Sequence, residues 1–280
     1  MMLQVNLIDK KVEEHYTISH LEETILAGLA SAGKDIDHLQ PADLAPVDEF
    51  HVRGRQATME MADALNLWPG AQVLDAGSGL GGAARYLAST YGCQVTGLDL
   101  TDAYVQVARR LTERTGLTHL ARFQTGSALE IPYPDQSFDL VWTQHAAMNI
   151  QDKTRLYAEF WRVLKPGGRL ALNDVMAGPN GPVLFPAPWA GTEETSFLAT
   201  PDELRGYLEA AGFDLLSQRD TTEPGAQFFN AVADRLGQNG PPPLGLHLLM
   251  GSDFLEKVRN VARNLTERRV LTIEVIAQKP

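Results

Sequence analysis

The chain has 280 residues, 44% hydrophobic and 21% charged, an ordinary globular composition for which one domain with insertions is expected. A formal net charge of -11 argues against a groove that neutralises nucleic-acid phosphates, since such surfaces need clustered Lys and Arg. The single cysteine, Cys93, excludes an internal disulfide, and no apolar run reaches signal-peptide or membrane-span length, so a cytoplasmic protein with no membrane span is expected.

Residues 3–8 alternate like a short strand. Ser19-His20-Leu21-Glu22 has the form of a capping box, with Ser19 as N-cap, and predicts a helix to about Ser31 that Gly33 stops. Residues 40–49, acidic and punctuated by proline, read as a surface loop. The loop delivers Phe50-His51-Val52-Arg53-Gly54-Arg55-Gln56-Ala57-Thr58, and from about Gly54 a helix presents Met61, Ala64, Leu65 and Trp68 on one face. Pro69-Gly70 then turns the chain into Val73-Leu74-Asp75-Ala76-Gly77-Ser78-Gly79-Leu80-Gly81-Gly82, around which the rest is arranged. An apolar strand runs into closely spaced glycines there, and Ala83, Tyr86, Leu87 and Thr90 follow at helical spacing. Without a Cβ, such a turn takes positive φ and lets a ligand lie against backbone N–H groups.

Residues 94–100 read as a second strand carrying Asp99 near its end, where a nucleotide fingerprint places the acid that accepts from ribose hydroxyls. Gly77, Gly79 and Gly82 match G-x-G-x-x-G, and with Asp99 the pattern fits either a nicotinamide dinucleotide or S-adenosylmethionine. A helix with Tyr104, Val107, Ala108 and Leu111 inward follows, then strands at 121–125 and 138–143. A further helix buries Leu156, Phe160, Val163 and Leu164, and Pro166-Gly167-Gly168 turns into a fifth strand at 169–175. This alternation predicts an α/β fold, a parallel sheet with helices on both faces and ligands beyond the carboxyl ends of the strands. After Asp174 the prolines and glycines of residues 178–190 suggest a loop over the site. Thr200-Pro201-Asp202-Glu203 is a second capping box, opening a helix with Leu204, Tyr207, Leu208 and Ala211 inward that Gly212 closes. A strand at 215–219, helices around Phe229 and around Val258 split by Gly240-Pro241-Pro242-Pro243, and a last strand at 270–277 complete the reading. Asn264-Leu265-Thr266 fits a glycosylation pattern to which no meaning is attached.

Four motifs stand in register: Asp75-Ala76-Gly77, Asp99, Phe138-Asp139 after Leu129-Glu130-Ile131-Pro132, and Leu164-Lys165-Pro166-Gly167-Gly168. On them the chain resembles the class I S-adenosylmethionine-dependent methyltransferases from about Gly54 to Phe213. The resemblance implies a Rossmann-like, seven-stranded, mostly parallel sheet with its last strand antiparallel. With it go an N-terminal helical cap or lid (1–53) and a methyltransferase domain (54–280) with insertions at about 177–199 and 221–268. It implies S-adenosyl-L-methionine as cofactor and a small-molecule methyl acceptor, an amine or activated carbon, methylated by in-line displacement. Gly77, Ser78 and Gly79 would run beneath the cofactor, Asp99 would hold its ribose, and Leu100 would pack on the adenine. Ser127 and Ala128 would meet the adenine edge, where many relatives carry an acid. Gln144 and His145 would lie nearest the methyl, His145 as candidate base.

Glu14-His15-Tyr16 and residues 50–58 also resemble a narrower set, the sarcosine and dimethylglycine N-methyltransferases and the quinone and tocopherol C-methyltransferases. That makes Arg53 and Tyr16 candidate cofactor contacts. Trp189 and His247 are candidate substrate-wall residues, with Phe197, Phe228 and Phe229 as further aromatics for such a cavity. No Asn-Pro-Pro-Tyr-type sequence follows the fourth strand, which with the acidic charge points to small molecules rather than nucleic acid. The seven histidines show no paired spacing with acids for a metal site, and a homodimer is left open. Two alternatives stand beside this reading: a nicotinamide-dependent oxidoreductase, and a non-catalytic cofactor-binding protein on the same fold.

Overall fold

The computed structural model describes residues 2–16 and 20–280. Seven strands, β1 (Gln72–Ala76), β2 (Gln94–Asp99), β3 (Ala121–Thr125), β4 (Phe138–Gln144), β5 (Leu164–Ala177), β6 (Asp214–Asp220) and β7 (Val270–Gln278), form one sheet in the order β3-β2-β1-β4-β5-β7-β6. β7 runs antiparallel to both neighbours, and the remaining pairs, β1 with β2 and β4, β2 with β3, and β4 with β5, are parallel. The chain therefore steps outward from β1 to β3 and returns to lay β4 against the other side of β1. Ligands on open sheets sit beyond the strand ends at this reversal.

Eleven helices accompany the strands among the described residues: α1 (Met2–Tyr16), α2 (Leu21–Ser31), α3 (Pro41–Asp48), α4 (Arg55–Asp63), α5 (Gly82–Tyr91), α6 (Asp102–Arg114), α7 (Lys153–Val163), α8 (Pro201–Ala211), α9 (Thr222–Asn239), α10 (His247–Met250) and α11 (Phe254–Thr266). None is long and apolar enough to cross a membrane. Successive strand residues face opposite sides. Leu74 and Val141 pack with Leu156 and Phe160 of α7, while Val73 and Leu140 pack with Leu87 of α5 and Ala108 of α6. Both faces of β1 are thus buried, which is why Val73 and Leu74 stand side by side without the alternation of a half-exposed strand.

The segment before β1 departs from the sequence expectation in three places. Residues 3–8 lie in α1, not in a strand. A short alternation carries little weight against Ile8, Val12 and Tyr16, four apart and all half-buried, which a helix places on one face. Residues 40–49 hold the helix α3 rather than a loop. Pro41 occupies its first turn, where a missing N–H costs nothing, Asp43 accepts from the Gln40 N–H at 2.9 Å, and Leu44 and Val47 are fully buried. The capping box expected at Ser19 lies outside the described residues. α4 ends at Asp63, so Ala64 and Trp68 leave the apolar face, and Trp68 is 52% exposed.

The second capping box forms, with the Glu203 N–H bonded to Thr200 Oγ1 at 3.2 Å and Gly212 left-handed at φ 96°. Asn264, in the glycosylation pattern, is buried, and its amide brackets Leu184 by donating to the carbonyl and accepting from the N–H. That carboxamide pins residues 178–190 to α11. α9 and α11 pack with Val52, Met148 and Trp189 beside the ends of β4 and β5.

Candidate cofactor and acceptor site

The turn after β1 is left-handed at Gly77 (φ 79°), Gly79 (φ 52°) and Gly81 (φ 83°). Its first two amides bind back to β2, where the Gly77 and Ser78 N–H groups donate to the Leu98 carbonyl at 2.8 and 3.2 Å. Asp99 then locks the turn: one carboxylate oxygen accepts the Gly79 N–H at 2.7 Å and the other the Thr101 N–H at 2.9 Å. The turn meets the chain leaving β4 so closely that a Cβ on Gly77 would stand 2.4 Å from the Ala146 Cβ.

A cleft of about 1190 Å³ opens over this turn, and Tyr16, Gly77, Ser78, Gly79, Asp99, Leu100, Ser127, Ala128, Gln144 and His145 all line it. Ten of the residues singled out from the sequence are therefore brought together. Ser127 also serves its own turn, its Oγ accepting the Leu129 N–H at 3.2 Å. Tyr16, at the end of α1, donates its hydroxyl to Asn149 Oδ1 at 3.0 Å and ties the N-terminal helix to the segment after β4.

The electrostatics of the cleft are one-sided. Asp9, Asp48, Glu49, Asp75 and Asp99 line it, with no lysine or arginine among the described residues. Burial first, then the neighbouring charges of Asp99 and Glu49, push Asp75 up to about 8. Asp48 is pushed up to about 6 by burial despite its ion pair with Arg85, whose Nη2 lies 2.7 Å away. Burial also raises Asp99, opposed by the two N–H groups it accepts. Several buried polar atoms have no protein partner: Asp75 Oδ2, Glu49 Oε1, Ser78 Oγ, Gln144 Nε2, Tyr104 Oη and His145 Nε2. Buried polar atoms are almost always paired, so this cluster on one cavity marks where a polar ligand completes the hydrogen bonding. Acidic walls and a bare peptide turn fit a nucleoside that carries positive charge.

His145 sits at φ 51°, its N–H bonded to the Asn173 carbonyl at 2.8 Å. Burial, and secondarily His51, hold its imidazole well below the usual histidine range, so the ring is neutral. Beyond it lies a second, much smaller cavity whose walls include Tyr16, His51, His145, Trp189, Phe229 and Met250. Trp189 and Phe229 thus face a chamber next to the cleft, whereas Phe197 and Phe228 line neither cavity.

Two sequence expectations do not reach the site. Arg53 lines neither cavity; its guanidinium pairs with Glu60 and its side chain is 11% exposed. An arginine with a carboxylate seven residues on, across a tight turn, satisfies itself locally. His247 also lines neither cavity and packs its ring on Phe254, 5.7 Å between centroids. The sequence reading passed over Glu49, His51, Thr58 and Asn149. The signal for three of them was the polar spacing of residues 49–58, across the start of α4.

A doubly wound sheet with a glycine turn and an acid-tipped second strand at its switch point defines a nucleotide-cofactor-binding α/β protein. A family model described as a methyltransferase domain matches residues 74–172. The sarcosine/dimethylglycine N-methyltransferase of Halorhodospira halochloris is 30% identical over 205 residues, covering 72% of each chain. The glycine/sarcosine/dimethylglycine N-methyltransferase of Actinopolyspora halophila is 34% identical over 178 residues, covering 64% of this chain and 32% of that one. The chain thus spans about a third of the length of that relative. A solved complex of Haemonchus contortus phosphoethanolamine N-methyltransferase 2 with S-adenosyl-L-methionine shares the fold, with a TM-score of 0.72 at 20% identity, covering 86% of this chain and 57% of that one. The chain belongs to the S-adenosylmethionine-dependent methyltransferases, and S-adenosyl-L-methionine is its cofactor.

Proposed function

We propose that this protein transfers a methyl group from S-adenosyl-L-methionine to a small-molecule acceptor held in the second cavity. The observation that carries the reading is the glycine turn clamped by Asp99 beneath a carboxylate-walled cleft that no lysine or arginine among the described residues lines. Gly77, Ser78 and Gly79 would support the cofactor, Asp99 would accept from its ribose, and Leu100, Ser127 and Ala128 would border its base. Tyr16 and Gln144 would complete the enclosure, with residues 1–53 acting as the cap. When bound, the cofactor supplies a methyl on a sulfonium that is already electrophilic. The protein's share is then alignment and dryness, and positioning of this kind contributes on the order of 7–11 kcal/mol. Tyr16 bonded to Asn149 closes one side, and the aromatic and aliphatic wall of the second cavity excludes water on the other. Cytoplasmic residence and pairing into homodimers complete the proposal, tested by fractionation and light scattering.

Calorimetric titration with S-adenosylhomocysteine and with a nicotinamide dinucleotide tests the cofactor assignment. Saturable binding of the first and none of the second is expected; the reverse would return the chain to oxidoreductase chemistry. Turnover with labelled cofactor separates an enzyme from a non-catalytic binder.

Proton release is a second expected outcome. Asp75 in the folded protein stands near 8, against about 4 in an unfolded chain, so it is largely protonated at pH 7 before the cofactor arrives. A cationic ligand among these carboxylates favours their charged forms, and S-adenosylmethionine binding at pH 7 should expel up to about one proton. Binding enthalpies in phosphate and in Tris should then differ, and equal enthalpies would refute the coupling. For the ligand-free protein the sign is set by a raised folded value. The stability contributed by protonated Asp75 is full below about pH 4 and is lost as pH climbs through 8.

A further inference from the structure

The walls of the two cavities restrict what the acceptor can be. Five carboxylates line the cofactor cleft, no charged carboxylate or ammonium lines the second cavity, and no lysine or arginine among the described residues lines either. The nearby cations are committed elsewhere. Arg85 binds Asp48 and the Leu80 carbonyl, Lys153 Nζ donates to the carbonyls of Ala147, Ile150 and Phe197, and Lys257 donates to Met250. In the second cavity, walled mainly by apolar side chains, a carboxylate or phosphate on the acceptor would be stripped of water with no cation to pair it, which is how a site rejects a ligand.

At the waist between the cavities stands a second imidazole. His51 lines both, with its ring centroid 5.9 Å from that of His145. Its Nε2 lies 2.9 Å from Glu49 Oε2, and that oxygen is fixed in turn by the Thr58 hydroxyl, which donates to it at 2.7 Å. The Glu49 side chain is 1% exposed, so the carboxylate is a built part of the wall. In the tautomer whose Nε2–H donates to Glu49, Nδ1 carries the lone pair. Among the described residues its hydrogen-bonding neighbour is the Val52 carbonyl at 3.5 Å, which has no hydrogen to give. His145 has an unpartnered Nε2, and its backbone N–H is bonded to the Asn173 carbonyl.

We propose that the acceptor is an uncharged, largely apolar molecule with a weakly acidic hydroxyl, that His51 removes the hydroxyl proton, and that Glu49 holds His51 in position. The inference rests on the methyl-transfer reading and departs from the charged amines named for the relatives. As the hydroxyl proton passes to His51 Nδ1, the oxygen forms its bond to the methyl carbon. The carbon–sulfur bond breaks with its electron pair left on sulfur. The products are a methyl ether, S-adenosylhomocysteine and an imidazolium facing Glu49. The positive charge thus moves from sulfur to a ring that a buried carboxylate already faces, and a cationic product never has to leave an apolar chamber.

The test uses the full chain with 2-naphthol as the uncharged probe and sarcosine and phosphoethanolamine as charged ones. S-adenosylhomocysteine binding is measured first; if it fails, the cofactor reading falls. With the cofactor product bound, 2-naphthol should bind at one site and the charged probes should not. Labelled S-adenosylmethionine should yield 2-methoxynaphthalene. His51→Gln should lower kcat about 100-fold, the low end for a general base, with KM within about threefold. Added imidazole should restore turnover to His51→Ala, which a purely structural role would not permit. Glu49→Gln should lower kcat by less and leave KM unchanged. Binding or methylation of sarcosine or phosphoethanolamine, failure of 2-naphthol to bind while S-adenosylhomocysteine does, or an equal rise in KM without imidazole rescue would each overturn the proposal and leave the cofactor assignment standing.

Discussion

Replacing Asp99 with Ala should weaken S-adenosylhomocysteine binding about 100-fold and leave the sheet folded. The side chain accepts two backbone N–H groups, from Gly79 at 2.7 Å and Thr101 at 2.9 Å, while facing the cleft. A hydrogen bond to a charged group contributes about 1.5–3 kcal/mol, and about 2.7 kcal/mol is a hundredfold in affinity. The loss would have two parts: the turn gives up the Gly79 bond to β2 while those of Gly77 and Ser78 to Leu98 remain, and the proposed ribose contact loses its acceptor. Strand β2 is held by parallel pairing with β1 and β3, to which the side chain contributes nothing, so the thermal transition should stay cooperative. Asp99→Asn should fall between, because the amide keeps one acceptor but turns a donor toward a backbone N–H. Calorimetry on the three proteins, with circular dichroism melts alongside, reads both quantities. Unchanged affinity in Asp99→Ala would remove the ribose assignment.

How far this site could be read from sequence depended on where its determinants lie along the chain. The turn after β1 and Asp99 were legible because strand, glycines and acid are local, and because parallel strands buried on both faces leave apolar runs with little else inside them. Residues 40–49 look like a loop because proline ordinarily breaks a helix, yet Pro41 sits in the first turn, which tolerates it, and α3 also carries Pro46. Arg53 was taken for a ligand contact, and only the structure shows Glu60 receiving it. The hydrogen bond from Arg53 holds Glu60 down at about 2, so the pair is a committed one. The acceptor side was the least legible part. His51, Glu49 and Thr58 come to β4 from far upstream, Thr58 bonding Gln144 across 86 positions, and no periodicity in a single sequence encodes that meeting. Asn149 meets Tyr16 in the same way, across 133 positions.

Gly77→Ala should cost about 3 kcal/mol or more of stability and abolish cofactor binding, for a reason that can be undone. The residue sits at φ 79°, and an added Cβ would lie 2.4 Å from the Ala146 Cβ, while the next nearest atom, the Ala146 Cα, is 3.7 Å away. Left-handed backbone alone costs an alanine roughly 1–2 kcal/mol. The overlap adds a separation of the ends of β1 and β4, which close packing resists. Ala146→Gly in the same chain removes the one atom in the way, so the double variant should recover the overlap cost and retain only the backbone strain. A double variant as unstable as Gly77→Ala alone would show that the overlap is not the cause. Gly79→Ala supplies the contrast: its φ is 52° and a Cβ there meets nothing within 4 Å. Its melting temperature should drop less than that of Gly77→Ala while its affinity for S-adenosylhomocysteine falls, because the proposed cofactor position takes up the space that Cβ enters. Stability and binding should therefore separate between two glycines two residues apart, one closed against the protein and the other open to the ligand.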